Sequence, residues 1–234
     1  MAPGVVAIIP ARGGSQGVPR KNLRTLAGLP LLAHTVRQAL AARLVSRVVV
    51  STDDAEIGAV AREYGADVIP RPPELATSDA SSESVLLHAL DYLGRGDSHE
   101  PGVIVFLQCT SPIRREDDID RAIELFLERK ADSLLSVVPS HRFLWHRPNG
   151  VAQSINYDVR ARPRRQDMEP QYVENGSIYV LRPWVLRELR NRLGGKIELF
   201  VMDSWSQVDI DSVEDFALCE WILAQRRTSA PVRE

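Results

Sequence analysis

The 234-residue chain has only two cysteines, Cys109 and Cys219. That scarcity excludes a disulfide-stapled scaffold and suits a reducing compartment, so a cytoplasmic location is expected. Its five histidines (His34, His88, His99, His141, His146) stand at no metal-ligand spacing with the cysteines. No apolar run is long enough to cross a membrane, and the one nearest the N-terminus stops at Pro10, so neither a spanning helix nor a secretory leader is expected. The chain also lacks an excess of charge of one sign. Twenty-nine basic and 31 acidic residues give a net charge of -2, so nucleic acid and anionic membrane are not expected as partners. Any anion must be held by local charge. Neither G-x-x-x-x-G-K-[ST] nor G-x-G-x-x-G occurs, which removes the common ATPase and dehydrogenase readings.

What is present is an ordinary globular composition, 44% hydrophobic and 26% charged, without repeats or linkers. One domain over residues 1–234 is expected. Strand-like runs alternate with helix-like ones. Val5 to Ile9, Val45 to Ser51, Val68 with Ile69, Val103 to Leu107, Leu134 to Val138, Gly176 to Leu181 and Ile197 to Met202 read as strands. Leu31 to Ala42, Ala55 to Tyr64, Val85 to Leu93, Arg115 to Lys130, Pro183 to Leu193 and Asp211 to Arg226 read as helices. Asp or Thr at 52–54 can cap the second helix and Gly65 closes it, while Glu116, Asp117 and Asp118 sit at the favourable end of the fourth. Thr228 to Glu234 reads as a frayed tail. This order predicts an α/β fold built on a single doubly wound sheet, with ligands beyond the carboxyl ends of its strands.

The alternation breaks at His141 to Glu174, where six arginines mix with scattered aromatics and no helical period holds. Compact domains seldom carry so long an irregular segment unless it is a lid, an interface or a binding element.

The loop after the first strand, PARGGSQGVPRKN from Pro10 to Asn22, holds Arg12, Arg20 and Lys21 and no acid. Its three glycines allow tight turning and bring N–H groups towards an anion, and Arg12, Ser15 and Lys21 add hydrogen bonds and charge. A polyphosphate is the natural guest. Near the other end, Asp209 and Asp211 in VDID stand at i and i+2, so in extended backbone they share a face and can share one hard cation. Asp211 also sits where a helix N-cap is wanted, with Glu214 three residues on, and the two roles are compatible.

IPARGGSQGVPRKN, RPPELATSDASS from Arg71, LQCTSP from Leu107, RRQD from Arg164, ENGSIY from Glu174 and VDIDSVEDF from Val208 occur in one order. Together they resemble the acylneuraminate cytidylyltransferases, the CMP-sialic acid synthetases and their nonulosonate relatives. The resemblance runs from Val5 to Leu223. It implies a mostly parallel, Rossmann-like sheet of the nucleotide-diphospho-sugar transferase type, with 141–174 protruding to make a homodimer. The implied reaction joins CTP to a 2-keto sugar acid and releases pyrophosphate, with Mg²⁺ as cofactor held by Asp209 and Asp211.

By the same resemblance, Ala11, Arg12, Ser15, Gln16 and Asn22 hold the nucleotide, and Lys21, Arg12 and Asp211 are catalytic, Lys21 reaching the α-phosphate. Cytosine needs an acceptor for its amine and donors for its ring nitrogen and carbonyl, which the carbonyl of Ala80 with Arg71 and Ser82 would supply. Gln108, Asn175 and Tyr179 match acceptor contacts, with Arg165 as the basic residue acting from the second subunit. Outside the resemblance, Tyr179 reads as half-buried strand packing, Lys21 as a loop cation and Cys109 as a small buried residue. Gln16 departs from the lysine usual after the loop serine and removes a charge beside the polyphosphate, for which Arg20 is a candidate substitute. The KDO branch usually carries a histidine and an SGT element in the base-reading region, and their absence points to nine-carbon acids. A phosphonate or another small acid as acceptor, and a non-catalytic nucleotide-binding relative, are the alternatives.

Overall fold

The structure, a computed structural model, describes residues 4–15, 17–95 and 101–228, with 227 and 228 described by backbone alone. Gln16 and the stretch 229–234 of the expected tail lie outside the described residues.

Seven strands form one sheet in the order β11-β7-β10-β6-β1-β4-β5. They are β1 (Val5–Pro10), β4 (Arg47–Thr52), β5 (Asp67–Pro70), β6 (Val103–Leu107), β7 (Ser133–Ser140), β10 (Gln171–Leu181) and β11 (Ile197–Val201). Two short hairpins stand apart, β2 (Thr25–Leu26) with β3 (Leu29–Pro30) and β8 (Trp145–His146) with β9 (Gln153–Ser154). Strand β1 is parallel to β4 and β6, β4 to β5, and β7 to β11, while β10 runs antiparallel between β6 and β7. The mostly parallel, doubly wound sheet expected from the sequence is therefore present. Helices cover both faces, which is why the central strands read as unbroken apolar runs.

The two-residue period of β1 divides the core. Val5, Ala7 and Ile9 join Val36, Ile57, Ile123 and Phe126 on one face. Val6 and Ile8 join Leu86, Leu90, Val185 and Leu186 on the other. The first face is covered by α1 (Leu31–Ala41), α2 (Ala55–Glu63), α4 (Asp118–Glu128) and α6 (Val213–Thr228), the second by α3 (Ser82–Gly94) and α5 (Pro183–Leu189). Chain order leaves β1 for β4 and β5 on one side, then returns to β6 on the other. The crevice opened by that reversal lies at the carboxyl ends of β1 and β6.

Several helix limits differ from the sequence expectation for local reasons. Helix α3 starts at Ser82 because Ser81 accepts from the Ser84 amide at 3.2 Å. Helix α4 starts at Asp118, whose carboxylate closes the preceding turn on the Arg115 amide at 2.6 Å. Asp54 caps α2 as expected, accepting from the Glu56 and Ile57 amides at 2.8 and 3.0 Å. The expected cap of α6 is corrected. Ser212 and Asp215 cap it reciprocally: the Ser212 amide donates to Asp215 Oδ2 at 2.8 Å and the Asp215 amide to Ser212 Oγ at 3.2 Å. Glu214 takes no part in that cap, and Asp211 contributes its backbone N–H, which donates to Asp215 at 2.9 Å. Its carboxylate is thereby available for another role.

Within 141–174 there is the β8–β9 hairpin and three 3₁₀ turns, with no long helix, as expected. The end of that segment is nevertheless strand: β10 begins at Gln171, paired to Ser140, and passes an irregularity between Glu174 and Tyr179 before resuming at β7.

Replacing Ser212 by alanine should lower unfolding free energy by about 1 kcal/mol, the usual worth of an N-cap side chain, while Glu214→Ala should stay within about 0.5 kcal/mol. Urea titration followed by far-UV circular dichroism checks the pair, and the reverse order would restore the expected cap.

Candidate active site

The cleft at the carboxyl ends of β1 and β6 has a volume of about 520 Å³. Its rim begins with the 10–22 loop. Asn22, 7% exposed, donates to the Arg12 carbonyl at 3.0 Å and so ties the two ends of the loop together. Gly13 and Gly17 act by close approach, and none of the three loop glycines has positive φ. A Cβ on Gly13 would lie 2.7 Å from Asp54 Oδ2, and one on Gly17 would lie 2.2 Å from the Asp211 carbonyl oxygen. Gly14 has open space around it. The loop is thus pressed against the start of α2 on one side and the VDID segment on the other.

Lys21 completes the second contact. Its Nζ donates to the Ile210 carbonyl at 2.6 Å and pairs with Asp211 Oδ1 at 3.0 Å, with the lysine side chain 12% exposed and the carboxylate 78%. The ammonium is sheltered and aimed while the carboxylate stays open to the cleft. Arg12 donates to the Thr77 carbonyl and so pulls the 71–82 segment over the cavity. Arg20 faces away from the cleft, at 2.5 Å from Glu56. The candidate substitute for a charge at position 16 is therefore committed to α2.

Arg71, Ala80 and Ser82 line the opposite wall. Arg71 donates Nε to Ser51 Oγ at 3.2 Å and Nη2 to the Ser51 carbonyl at 2.5 Å. Burial pulls its pKa down to about 10, opposed by Asp53, so it remains a cation at neutral pH. Gln108 lines the floor, with its Oε1 2.6 Å from where a Gly176 Cβ would sit; Gly176 has φ +68°. Arg12, Ser15, Lys21, Asn22, Arg71, Ala80, Ser82, Gln108 and Asp211 thus share one cavity. Ala11 is buried beneath it, its amide bonded to the Ser51 carbonyl at 3.0 Å.

Four expected residues stand elsewhere. Asp209 is exposed on the strand-like 208–211 segment and accepts from Ser111 Oγ at 3.3 Å, with buried Ile210 between it and Asp211. Asn175 is buried: Oδ1 accepts from Ser136 at 2.6 Å, and Nδ2 donates to the Ser206 carbonyl at 3.0 Å. Tyr179 packs in the second face of the core, stacked on Phe106 at 5.2 Å, and its hydroxyl donates to Glu174. Burial, with Glu174 beside it, raises its pKa. Arg165 is exposed in the excursion and does not line this chain's cleft. Residues the sequence reading did not single out also shape the site: Phe106 and Thr110 line it, and Asp53 accepts the Gly13 amide at 3.1 Å. Asp53 had a signal, its place directly after the strand that neighbours β1.

Cys109 borders the cleft but is 3% exposed, and burial pushes its thiol up to about 12, as burial also does for Cys219. Neither can be a thiolate nucleophile at neutral pH.

A glycine-bearing cationic loop thus faces the Asp211 carboxylate across the switch point of an α/β sheet, the place where such sheets take their ligands. The family described as Cytidylyltransferase matches residues 6–215, and the chain belongs to it. It is 35% identical over 220 residues to N-acylneuraminate cytidylyltransferase A of Danio rerio, a match covering 92% of this chain and 50% of that one. The chain spans about half the length of that relative. It is 29% identical to Post-translational flagellin modification protein B of Campylobacter coli, covering 97% of both. In three dimensions it matches CMP:2-keto-3-deoxy-manno-octonic acid synthetase complexed with CTP, with a TM-score of 0.72 at 19% identity over 95% of this chain and 99% of that one.

Both thiols should resist Ellman's reagent at pH 8 in the native protein, and two should react in denaturant. Because both thiol pKa values are raised by folding, the stability they contribute is full below the unfolded value and should fall as pH rises from about 9 towards 12. One fast-reacting native thiol would contradict the burial.

Proposed function

We propose that the chain catalyses transfer of a cytidylyl group from CTP to a 2-keto sugar acid of the nonulosonate class, releasing pyrophosphate. The observation that carries this reading is the meeting of Lys21 and Asp211 in a cleft walled by Arg71, Ala80 and Ser82 and floored by Gln108. Family membership and the names of the curated relatives support it.

In this reading the triphosphate lies along the 10–22 loop. Arg12 and Lys21 face the phosphates, and Lys21 is aimed at the α-phosphoryl oxygens by its bonds to Ile210 and Asp211. Charge gathers on those oxygens during displacement, so a held cation stabilises the transition state without reorganising. Ser15 and the Ala11–Asn22 backbone position the nucleotide. Ser82 and the Ala80 carbonyl, with Arg71 behind them, read the base. On the acceptor side Gln108 presents its amide to the sugar acid. Asn175 and Tyr179 act by holding the β10 turn and the Phe106 wall in place.

The residues present fit Mg²⁺. Asp209 and Asp211 are both exposed, Asp211 lines the cleft, and Asp211 is relieved of helix capping by Ser212. Among the described residues there is no cluster of three or more acidic, histidine or cysteine groups, so protein alone does not enclose a cation there. Mg²⁺ suits such a site because it keeps waters and takes one or two carboxylates alongside substrate phosphates. When bound, it would neutralise phosphate charge.

Incubation with CTP, Mg²⁺ and a panel of acceptors, read as pyrophosphate release, tests the proposal. Sialic, legionaminic, pseudaminic and deaminated nonulosonic acids and phosphonates form the panel. A nonulosonate should support turnover, CTP should outrun UTP by at least about a hundredfold, and EDTA should abolish the signal. Turnover only with a phosphonate would reassign the acceptor, and equal use of UTP would remove the base wall. No turnover, with CTP still bound, would favour a nucleotide-binding relative.

The excursion supports a homodimer in this reading. Leu144, Trp145, Val151, Ile155 and Val159 are exposed along it, an apolar surface of the kind that marks an interface. Arg165, which does not line its own cleft, then serves the partner's acceptor carboxylate. Lys21→Ala and Arg165→Ala proteins should each be nearly inactive, and an equimolar mixture should regain activity in about a quarter of its sites. No recovery on mixing, or a fully active monomer by light scattering, would place Arg165 outside the site.

A further inference from the structure

Arg114 is a charged side chain without a matching anion, 6% exposed, at the turn that follows β6. Its Nη1 donates to Gln38 Oε1 at 2.8 Å and Thr35 Oγ1 at 3.3 Å, both on α1. Its Nη2 donates to the Gln108 carbonyl at 2.9 Å and the Ser177 carbonyl at 2.8 Å. The Nε is buried with no partner. Among the described residues no carboxylate lies within ion-pair distance of it. The titratable groups around it are the Cys109 thiol from the end of β6 and Asp118 from the head of α4, while Arg226 of α6 donates to the Arg114 carbonyl at 3.5 Å. Thr35, Gln38 and Ser177 bring no charge.

Burying an unpaired cation is costly, and an apolar residue would fill this space at less expense to stability. The fork geometry of a guanidinium does something an apolar residue cannot: one nitrogen holds carbonyls of two antiparallel strands at once. Those two carbonyls belong to Gln108, on the cleft floor, and to the residue after Gly176, against which the Gln108 amide packs. The same turn sends Ser111 Oγ to the Asn175 carbonyl at 3.1 Å and to Asp209 at 3.3 Å. Moving residues 108–111 would therefore shift the acceptor floor and the Asp209 carboxylate together. The loop that faces the triphosphate is not attached to Arg114.

We propose that Arg114 is the positioning residue of the acceptor half of the cleft, its buried guanidinium locking Gln108 to the 175–177 turn. The proposal rests on the reading of the cleft as a cytidylyltransferase site. Its lysine replacement would retain the charge and some of the hydrogen bonds, but a buried ammonium surrenders its proton far more readily than a guanidinium.

The test uses Arg114→Met and Arg114→Lys. In the methionine variant the KM for the acceptor should rise by about tenfold while that for CTP changes by less than about twofold. The lysine variant should lie near wild type at pH 7 and approach the methionine variant as pH rises to about 9.5, against the wild-type and methionine profiles as baselines. Equal rises in both KM values, or a lysine profile parallel to wild type, would overturn the proposal. Hydrogen exchange separates its failure from failure of the cytidylyltransferase reading. Amide protection over 107–112 and 175–178 should drop in Arg114→Met and return in Arg114→Lys at pH 7, whether or not any acceptor is turned over. Unchanged protection overturns the lock. If Arg114→Met does not fold, Gln38→Met removes a single acceptor of the guanidinium and should raise the acceptor KM by about threefold with CTP unaffected; an effect on CTP, or none, counts against the proposal.

Discussion

One ammonium joins the two ends of the chain. Lys21, on the first loop, rests between the Ile210 carbonyl and the Asp211 carboxylate, 190 residues away in sequence. With the carboxylate 78% exposed, the ion pair itself contributes at most about 1 kcal/mol. Its weight is geometric. It fixes the cation's direction, and the approach of Gly17 to the Asp211 carbonyl allows no side chain between the two segments. Substrate phosphate and metal, in the proposed reaction, would enter an arrangement whose charges are already placed.

That arrangement depends on the sheet. Because β1 lies between β4 and β6, the loops at its carboxyl end face a crevice with no crossover running through it. The antiparallel β10 then brings Asn175, Gly176 and Ser177 beside the end of β6. There, Arg114 Nε apart, the buried polar groups pair with one another: Ser136 with Asn175, Asn175 with the Ser206 carbonyl, Ser111 with the Asn175 carbonyl, Arg114 with Gln108 and Ser177. Such networks cost heavily if any member is left unpaired, which makes the region around the cleft floor stiff. Stiffness here would serve the proposed reaction, which depends on positioning and fixed charge.

The excursion contrasts with this. Its short hairpin and 3₁₀ turns leave Leu144, Trp145, Val151, Ile155 and Val159 in the open. Arg165 belongs to this segment and does not line its own chain's cleft.

Read alone, the sequence determined the alternation of strands and helices, the doubly wound sheet, the cationic loop and the VDID carboxylates. These are legible because burial writes a period of two or 3.6 into apolar residues, and because glycine, arginine and lysine cluster where a polyanion is held. It also determined the irregular character of 141–174. Tertiary structure alone decided what cross-chain contacts decide. The cap of α6 went to Ser212 and Asp215, since Asp211 is drawn to Lys21 and local spacing cannot register a partner 190 residues away. Asn175 and Tyr179, read as acceptor contacts, are turned into the interior by the register of β10 against β6 and β7. Arg114, a plain basic residue in the chain, became a buried, anionless cation because its neighbours come from α1, β6 and β10, and only folding brings those three together.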